Sequence, residues 1–220
     1  MISLSLWGEK GRMGGEIKKA LRLFPEFKLS ELSSDTQGVL DFTSSTGLLE
    51  LLKKLDDEKS TSWVVSGSTG FDLEQRATLE ACGKTRTIVW AANFSLGVLA
   101  LSRLLDSAIL LPELQGFVPR IRETHHTLKK DSPSGTALLL KGHLFPDTFI
   151  ESIREGDVVG EHEVWFESGS ERLGLIHQAQ DRKVFAEGAL KSAMLLTEKL
   201  KKNRNSFPKR LLGLQDVFSS

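Results

Sequence analysis

The opening of this chain restricts its fold more than any other feature: an alternating strand, three glycines at three-residue spacing and an amphipathic helix follow one another directly. Ile2, Leu4 and Leu6 alternate with Ser3 and Ser5 as far as Trp7, so one face of an extended segment is apolar, and Gly8 breaks it. Over residues 13–24, Ile17, Ala20, Leu21 and Phe24 recur at helical spacing above Glu16, Lys18, Lys19 and Arg22. Strand, glycine turn and helix in that order start a parallel α/β unit. The pattern repeats, with strands expected at 39–42, 63–66 and 87–91 and helices over 46–55 and 73–82. Right-handed helical crossovers then predict one parallel sheet with helices on both faces. Phe27-Lys28-Leu29 is all that remains of a second strand before the polar stretch from Ser30 to Gly38.

After Ser95 the pattern changes. A longer apolar helix is expected over 96–111, followed by extended segments at 117–124, 149–154, 163–168 and 172–178. Gly-containing turns such as Glu155-Gly156-Asp157 and Ser168-Gly169-Ser170 join them, and an amphipathic helix over 184–200 closes the series. The predicted organisation is therefore an α/β domain of residues 1–95 with 183–220 and an α+β domain of residues 96–182, with the chain crossing near Ser95 and Arg182. A length of 220 residues, 40% of them hydrophobic, suffices for cores of that size.

Lys and Arg number 29 and Asp and Glu 29, so no net charge draws the chain to nucleic acid or an anionic membrane, and neither is expected as a partner. The basic run of Lys199, Lys201, Lys202, Arg204, Lys209 and Arg210 reads as the solvated end of a helix, where cations are favoured. Cys82 is the sole cysteine, which excludes a disulfide framework or a cysteine zinc site within one chain and suits a reducing, cytoplasmic setting. No apolar run reaches the roughly 18 residues of a membrane span, and residues 1–6 lack the basic front of a signal peptide, so a soluble protein is expected.

Gly8, Gly11 and Gly14 lie between the first strand and the first helix. Glycines there let the backbone approach a pyrophosphate at the positive end of the helix, although an ordinary glycine-rich turn has the same residues. The commoner fingerprint is G-x-G-x-x-G, and Lys10 fills the place of one glycine. Lys10 and Arg12 add two cations that could pair with a pyrophosphate and with the 2′-phosphate of NADPH. A second strand usually ends in an acid that holds the adenine ribose; here only Glu31 and Asp35 are near.

The segment of residues 123–137, Glu-Thr-His-His-Thr-Leu-Lys-Lys-Asp-Ser-Pro-Ser-Gly-Thr-Ala, gathers two histidines, two lysines and a hydroxyl-rich helix start. Free N–H groups near Gly135 and the Thr136 hydroxyl suit a carboxylate, while a surface loop that merely contains these residues is the plainer alternative. His125 and His126 do not suit a metal, because neighbours on a strand point to opposite faces and no third ligand is near; no metal is expected.

Four motifs in order resemble the dihydrodipicolinate reductase family: Gly8-Glu9-Lys10-Gly11-Arg12-Met13-Gly14, Gly67-Ser68-Thr69-Gly70-Phe71, Ala91-Ala92-Asn93-Phe94-Ser95-Leu96-Gly97-Val98, and the histidine segment. Ser68 and Ser132 stand where that family has Thr and Ala, and the region between the first helix and Val39 is short. The resemblance implies a Rossmann-type domain and a substrate and tetramerisation domain, in a cytoplasmic homotetramer that reduces a dicarboxylate with NADPH or NADH. It further implies that Gly8, Lys10, Gly11, Arg12, Met13, Gly67, Ser68, Thr69, Ala92, Asn93 and Phe94 contact the cofactor. His126, Lys129, Ser134, Gly135 and Thr136 would hold the substrate carboxylates, and His125 and Lys129 fall on the positions of acid catalysis.

Trp7, Trp63 and Trp90 are expected to pack at strand ends, with Trp7 near the cofactor. His143, His162 and His177 have no motif context and are expected at the surface or as hydrogen-bonded core residues; Arg182 is expected to support the domain boundary or the site.

Overall fold

The first strand forms where its alternation puts it, β1 at Ile2–Trp7, and α1 (Arg12–Ala20) follows with Ile17 and Ala20 buried. A 3₁₀ turn, Leu21–Leu23, takes up the end of the expected first helix, and β2 is the three residues Phe27–Leu29. β3 (Gly38–Asp41), α2 (Ser45–Asp57), β4 (Trp63–Ser66), α3 (Leu73–Gly83) and β5 (Ile88–Trp90) complete the run. Ser44 caps α2 through the Gly47 amide, and Asp72 and Gln75 form a reciprocal capping box on α3, which fixes both helix starts locally.

These five strands are all parallel, in the order β2-β1-β3-β4-β5. Leu29 at the end of β2 and Gly38 at the start of β3 both lie opposite Leu4 of β1. The chain therefore crosses from one side of β1 to the other at a single level, and residues 30–37 manage it with no helix. The apolar residues of α2 pack with Val39, Val64, Leu79 and Ile88 in one core. Their burial is the main stabilising term here.

This computed structural model describes residues 1–203 and 210–219, and its chain divides into two units, Met1–Phe94 with Phe185–Ser220 and Ser95–Val184. The second unit begins with α4 (Leu96–Ala108), capped by Ser95 and ending three residues short of the expected helix, where a 3₁₀ turn at Pro112–Leu114 follows. Then come β6 (Val118–His125), α5 (Gly135–Lys141), β7 (Phe149–Arg154), β8 (Gly160–Glu167) and β9 (Arg172–Ala179). They form a sheet of order β7-β6-β8-β9, with β6 and β7 parallel and the other pairs antiparallel.

Its register sets out rows of side chains on one face. Ile150, Ile121, Val164 and Leu175 make an apolar row, packed with Leu101 and Leu105 of α4 and Leu140 of α5. Two residues further along β6 the same face carries Ser152, Glu123, His162 and His177, and two further still Arg154, His125, Gly160 and Ala179. The core thus turns polar at one end of the sheet.

The chain returns to the first unit in α6 (Lys183–Lys202). Two elements that the sequence pattern does not announce follow: β10 (Leu211–Leu212), which adds a sixth strand beside β5, and α7 (Leu214–Phe218). A Cβ on Gly188 of α6 would stand 1.8 Å from the Phe94 carbonyl oxygen, so only glycine allows the helix to lie this close. Lys199 donates to the Asp216 and Ser219 carbonyls, which gives one member of the basic run a structural task; Arg204 and Lys209 lie outside the described residues.

Candidate functional site

In a parallel sheet of order 2-1-3, ligands bind beyond the carboxyl ends of the strands where the order reverses. Here that point lies between β1 and β3 and is flanked by Gly8 and by residues 41–45. Gly8 has φ +86°, and a Cβ on Gly14 would come within 2.7 Å of the Glu9 carbonyl carbon and the Gly8 oxygen, so the turn folds tightly onto its helix. Gly11 is the N-cap of α1 and offers no side-chain cap. The first-turn N–H groups therefore have no side-chain acceptor at the cap, and an anion fits there. Lys10 and Arg12 are exposed on either side of Gly11, and Met13 is half-buried beneath them.

The neighbouring loops are tied together by Asp41, a fully buried carboxylate not identified from the sequence. It accepts from the hydroxyls of Thr43 at 2.6 Å, Ser66 at 2.7 Å and Ser68 at 2.7 Å. Ser68 Oγ in turn accepts from the Thr43 amide at 3.1 Å, and the Trp90 indole N–H donates to the Ser68 carbonyl at 2.8 Å. Three consecutive strand ends are thereby knitted into one rim. Gly67 and the exposed Thr69 lie on it, and Ala92, Asn93 and Phe94 continue it after β5, with the Phe94 ring edge-on to Phe42 at 5.5 Å. Trp7 donates to the Gly47 carbonyl at 3.1 Å, Trp63 is buried and Trp90 half-buried. A polar residue closing the apolar strand Gly38-Val39-Leu40 is the signal that marked Asp41.

In the second unit the polar rows of the sheet hold His125. Its Nδ1 lies in a very short contact with Glu123 Oε2, which fixes the proton on Nδ1 and leaves Nε2 for chemistry. Glu123 is fully buried, and its other oxygen accepts from Arg154 Nη2 at 2.9 Å and from the Ser134 amide at 3.2 Å. Burial works to raise the Glu123 pKa, but Arg154 and His125 outweigh it and hold the carboxyl below its usual range. For His125, burial dominates and lowers the pKa against the pull of Glu123, helped by Lys129 and Arg154.

Arg154 Nη2 also donates to the Asp131 carbonyl at 2.5 Å, so one guanidinium joins the histidine strand to the loop after it. Lys129 is paired with the Asp131 carboxylate at 2.9 Å. Burial opposes the Asp131 charge, but Lys129 outweighs it and keeps that acid ionised below its usual range. Ser134 caps α5 by accepting from the Ala137 amide at 3.1 Å, so one of the N–H groups expected to be free for an anion is already bonded. Gly135 and His126 are half-buried and Thr136 is buried in the same turn.

His143 hydrogen-bonds Asp106 at 2.7 Å and His177 bonds Ser95 at 3.0 Å, but His162 departs from the expectation of a hydrogen-bonded core residue. It is 2% exposed, and neither nitrogen has a partner among the described residues. Arg182 is half-buried immediately before α6. Glu123 and Arg154 have no assigned role in the sequence, and His162 and His177 are expected there only as surface or hydrogen-bonded core residues, because the four lie on three other strand segments or two residues away along β6. Period-two alternation from His125 is the one signal that pointed to Glu123.

Comparison with known proteins bears on both halves. The sequence family described as dihydrodipicolinate reductase, C-terminus, matches residues 97–218, and its N-terminus counterpart matches residues 25–94. A 4-hydroxy-tetrahydrodipicolinate reductase of Stenotrophomonas maltophilia (strain R551-3) is 42% identical over 179 residues, covering 78% of this chain and 72% of its own. One from Bdellovibrio bacteriovorus is 34% identical over 215 residues, covering 90% and 91%. Among solved structures, dipicolinate-bound dihydrodipicolinate reductase from Paenisporosarcina sp. TG-14 superposes with a TM-score of 0.66 at 18% identity over 97% of each chain, a likeness of fold.

Proposed function

This chain belongs to the dihydrodipicolinate reductase family and reduces 4-hydroxy-tetrahydrodipicolinate to tetrahydrodipicolinate with NADPH or NADH, in diaminopimelate and lysine biosynthesis; we propose the residues that do so. The uncapped α1 start and the cations beside it suit a dinucleotide pyrophosphate: the amides after Gly8 and Gly11, with Lys10 and Arg12, hold it. Met13, Gly67, Ser68, Thr69, Ala92, Asn93 and Phe94 form the rim that carries the remainder, and Asp41 keeps that rim in place. The nicotinamide supplies the hydride.

In the second unit Lys129, His126, Ser134, Gly135 and Thr136 bind the two carboxylates of the substrate. Hydride addition to a conjugated C=C–C=N system leaves charge on the far atom, and a proton must reach it. His125 delivers that proton from Nε2, since Glu123 holds Nδ1. The buried Glu123–His125 contact is the single observation that carries this assignment. Lys129 binds and assists, drawn from Asp131 to the substrate.

On this reading the unit of residues 1–94 and 185–220 binds the dinucleotide and that of 95–184 the substrate. Leu173 and Ile176, exposed on the edge strand β9, support a homotetramer built through this sheet, and a cytoplasmic setting fits a chain whose described helices include none long and apolar enough to cross a membrane. The test follows nicotinamide oxidation with substrate generated from pyruvate and aspartate semialdehyde. His125→Gln should lower kcat by roughly 10²–10⁴-fold with little change in cofactor affinity. Lys129→Ala should lower kcat and raise KM together; normal rates in either variant remove that residue from the mechanism.

A further inference from the structure

Three imidazole nitrogens in one cluster of the second unit have no hydrogen-bond partner among the described residues: both nitrogens of His162 and Nδ1 of His177. Their rings stand in a line with the catalytic one. His125 and His162 have ring centroids 5.1 Å apart and His162 and His177 5.9 Å, while His177 Nε2 meets the Ser95 hydroxyl at 3.0 Å. The sheet register enforces the arrangement, since His162 pairs with Glu123 on one side and His177 on the other, and Gly160 lies opposite His125. A Cβ at Gly160 would be 3.1 Å from His125 Nε2 and 3.7 Å from His162 Cε1, so the space beside this glycine borders both rings.

The start of α4 is shaped around the far end of the line. A Cβ on Gly97 would be 2.8 Å from His177 Cδ2, so the glycine admits that ring, and Ser95 reaches it while capping the helix. Two positions of the Asn-Phe-Ser-x-Gly motif, Ser95 and Gly97, therefore serve His177 and not the dinucleotide rim.

We propose that His177, His162 and His125 form a proton line, entered at the half-buried His177, that charges His125 Nε2 for each turnover. This rests on the assignment of His125 as the acid. Tautomer freedom separates the members. Glu123 pins the Nδ1 proton of His125, so only Nε2 exchanges, whereas no hydrogen bond pins either nitrogen of His162. The charged and titratable groups that face His162 are His125, His177, Glu123 and Lys129; burial outweighs them and pushes its pKa down to about 3, so a proton crosses this ring without residing on it. Burial likewise leaves His125 poorly charged at neutrality, so the acid has to be loaded as the dianionic substrate arrives.

In one cycle His125 Nε2–H gives its proton to the substrate and is left with a lone pair. His162 gives an N–H proton to that nitrogen through one bridging water, and takes one at its other nitrogen from His177 Nδ1 through a second, since none of these nitrogens hydrogen-bonds its neighbour directly. His177, half-buried, takes a solvent proton on its ring at Nε2, the nitrogen that the Ser95 hydroxyl holds in place. One solvent proton is consumed, and both relay rings finish neutral with the proton on the opposite nitrogen. His162 resets by a half-turn that no hydrogen bond resists, and His177 by one that breaks and remakes its bond to Ser95.

His162→Phe removes both exchanging nitrogens and keeps a ring of similar shape. In dilute buffer free of small acids, kcat should fall at least tenfold, KM for the dicarboxylate should stay within twofold, and added imidazole should restore the rate in proportion to its concentration. An unchanged kcat, or a fall that imidazole does not restore, overturns the proton line. His177→Phe gives the same comparison should His162→Phe not fold by circular dichroism. A normal rate in His125→Gln would instead sink the acid assignment; a slow His125→Gln beside a normal His162→Phe sinks the proton line alone.

Discussion

One carboxylate, Glu123, ties together the polar end of the second unit's sheet. It sits between Arg154 and His125 with no exposure, and through the Ser134 amide it also reaches the start of α5. Glu123→Gln keeps the shape but removes the charge that raises the His125 pKa and pairs Arg154. The alkaline limb of the kcat profile, on which the acid is lost as pH rises, should move to lower pH, and kcat at pH 7 should drop by roughly 10²-fold. The stability cost should lie below the roughly 3–5 kcal/mol of a fully buried pair, because the Arg154 side chain keeps 19% exposure. A pH profile that does not move would show that Glu123 does not tune His125. His162 gives a second prediction at this scale. The folded ring stays neutral down to about pH 3, whereas an unfolded histidine protonates near about 6.5. Between those values the unfolded state binds more protons, so stability falls as pH falls, by about 1.4 kcal/mol per unit from this residue. Carboxylates titrate below about 4.5 and do not contribute between pH 7 and 5. Urea unfolding of the wild type should thus lose roughly 2 kcal/mol more over that interval than His162→Phe; equal losses would mean that the ring is not buried neutral. None of these roles follows from local sequence, since Glu123 and His162, 39 residues apart, and His162 and His177, 15 apart, meet only through register.

At the scale of elements, periodicity made most of the sheet readable: β1, β2, β4 and β7 coincide with the stretches in which apolar residues or their turns stand out. β10 has two residues, too few to show any period, and its place follows from β5 needing a neighbour. The short β2 carries the functional consequence. It ends opposite Leu4, three residues before the end of β1, or about 10 Å below the carboxyl edge at which a ribose-binding acid normally stands. Glu31 and Asp35 are exposed on the crossing that follows. With no carboxylate on β2 to repel a 2′-phosphate and with Lys10 and Arg12 exposed at the turn, both cofactors should serve and NADPH should bind at least as well as NADH. Arg12→Ala should weaken NADPH more than NADH, and raising ionic strength should narrow the wild-type difference, since an exposed contact is screened. A strong NADH preference that Arg12→Ala leaves intact would place a ribose-binding acid on residues 30–37.

At the scale of the whole molecule, the two units differ in how the chain builds them. Residues 95–184 are one continuous stretch with their own sheet and core, whereas the other unit is completed only after that stretch, by α6, β10 and α7. Gly188 against the Phe94 carbonyl and Leu211 beside Ile88 are contacts that the first 94 residues lack when alone. Each unit should therefore be stabilised by its own ligand. Binding at about 100 times Kd contributes roughly 2.7 kcal/mol, or about 100-fold slower exchange, to amides that exchange only when that unit opens. Hydrogen exchange should show NADPH protecting β1, β3, β4 and β5 together with α6, which begins at Lys183 far along the chain from Trp90, because the returning segment belongs to the same cooperative unit. Pyridine-2,6-dicarboxylate alone should protect β6, β8 and α5 and leave β1 at its free rate. Protection of β1 without α6 would break the discontinuous unit apart, and equal protection of both sheets by either ligand would show that the chain opens as a single cooperative body.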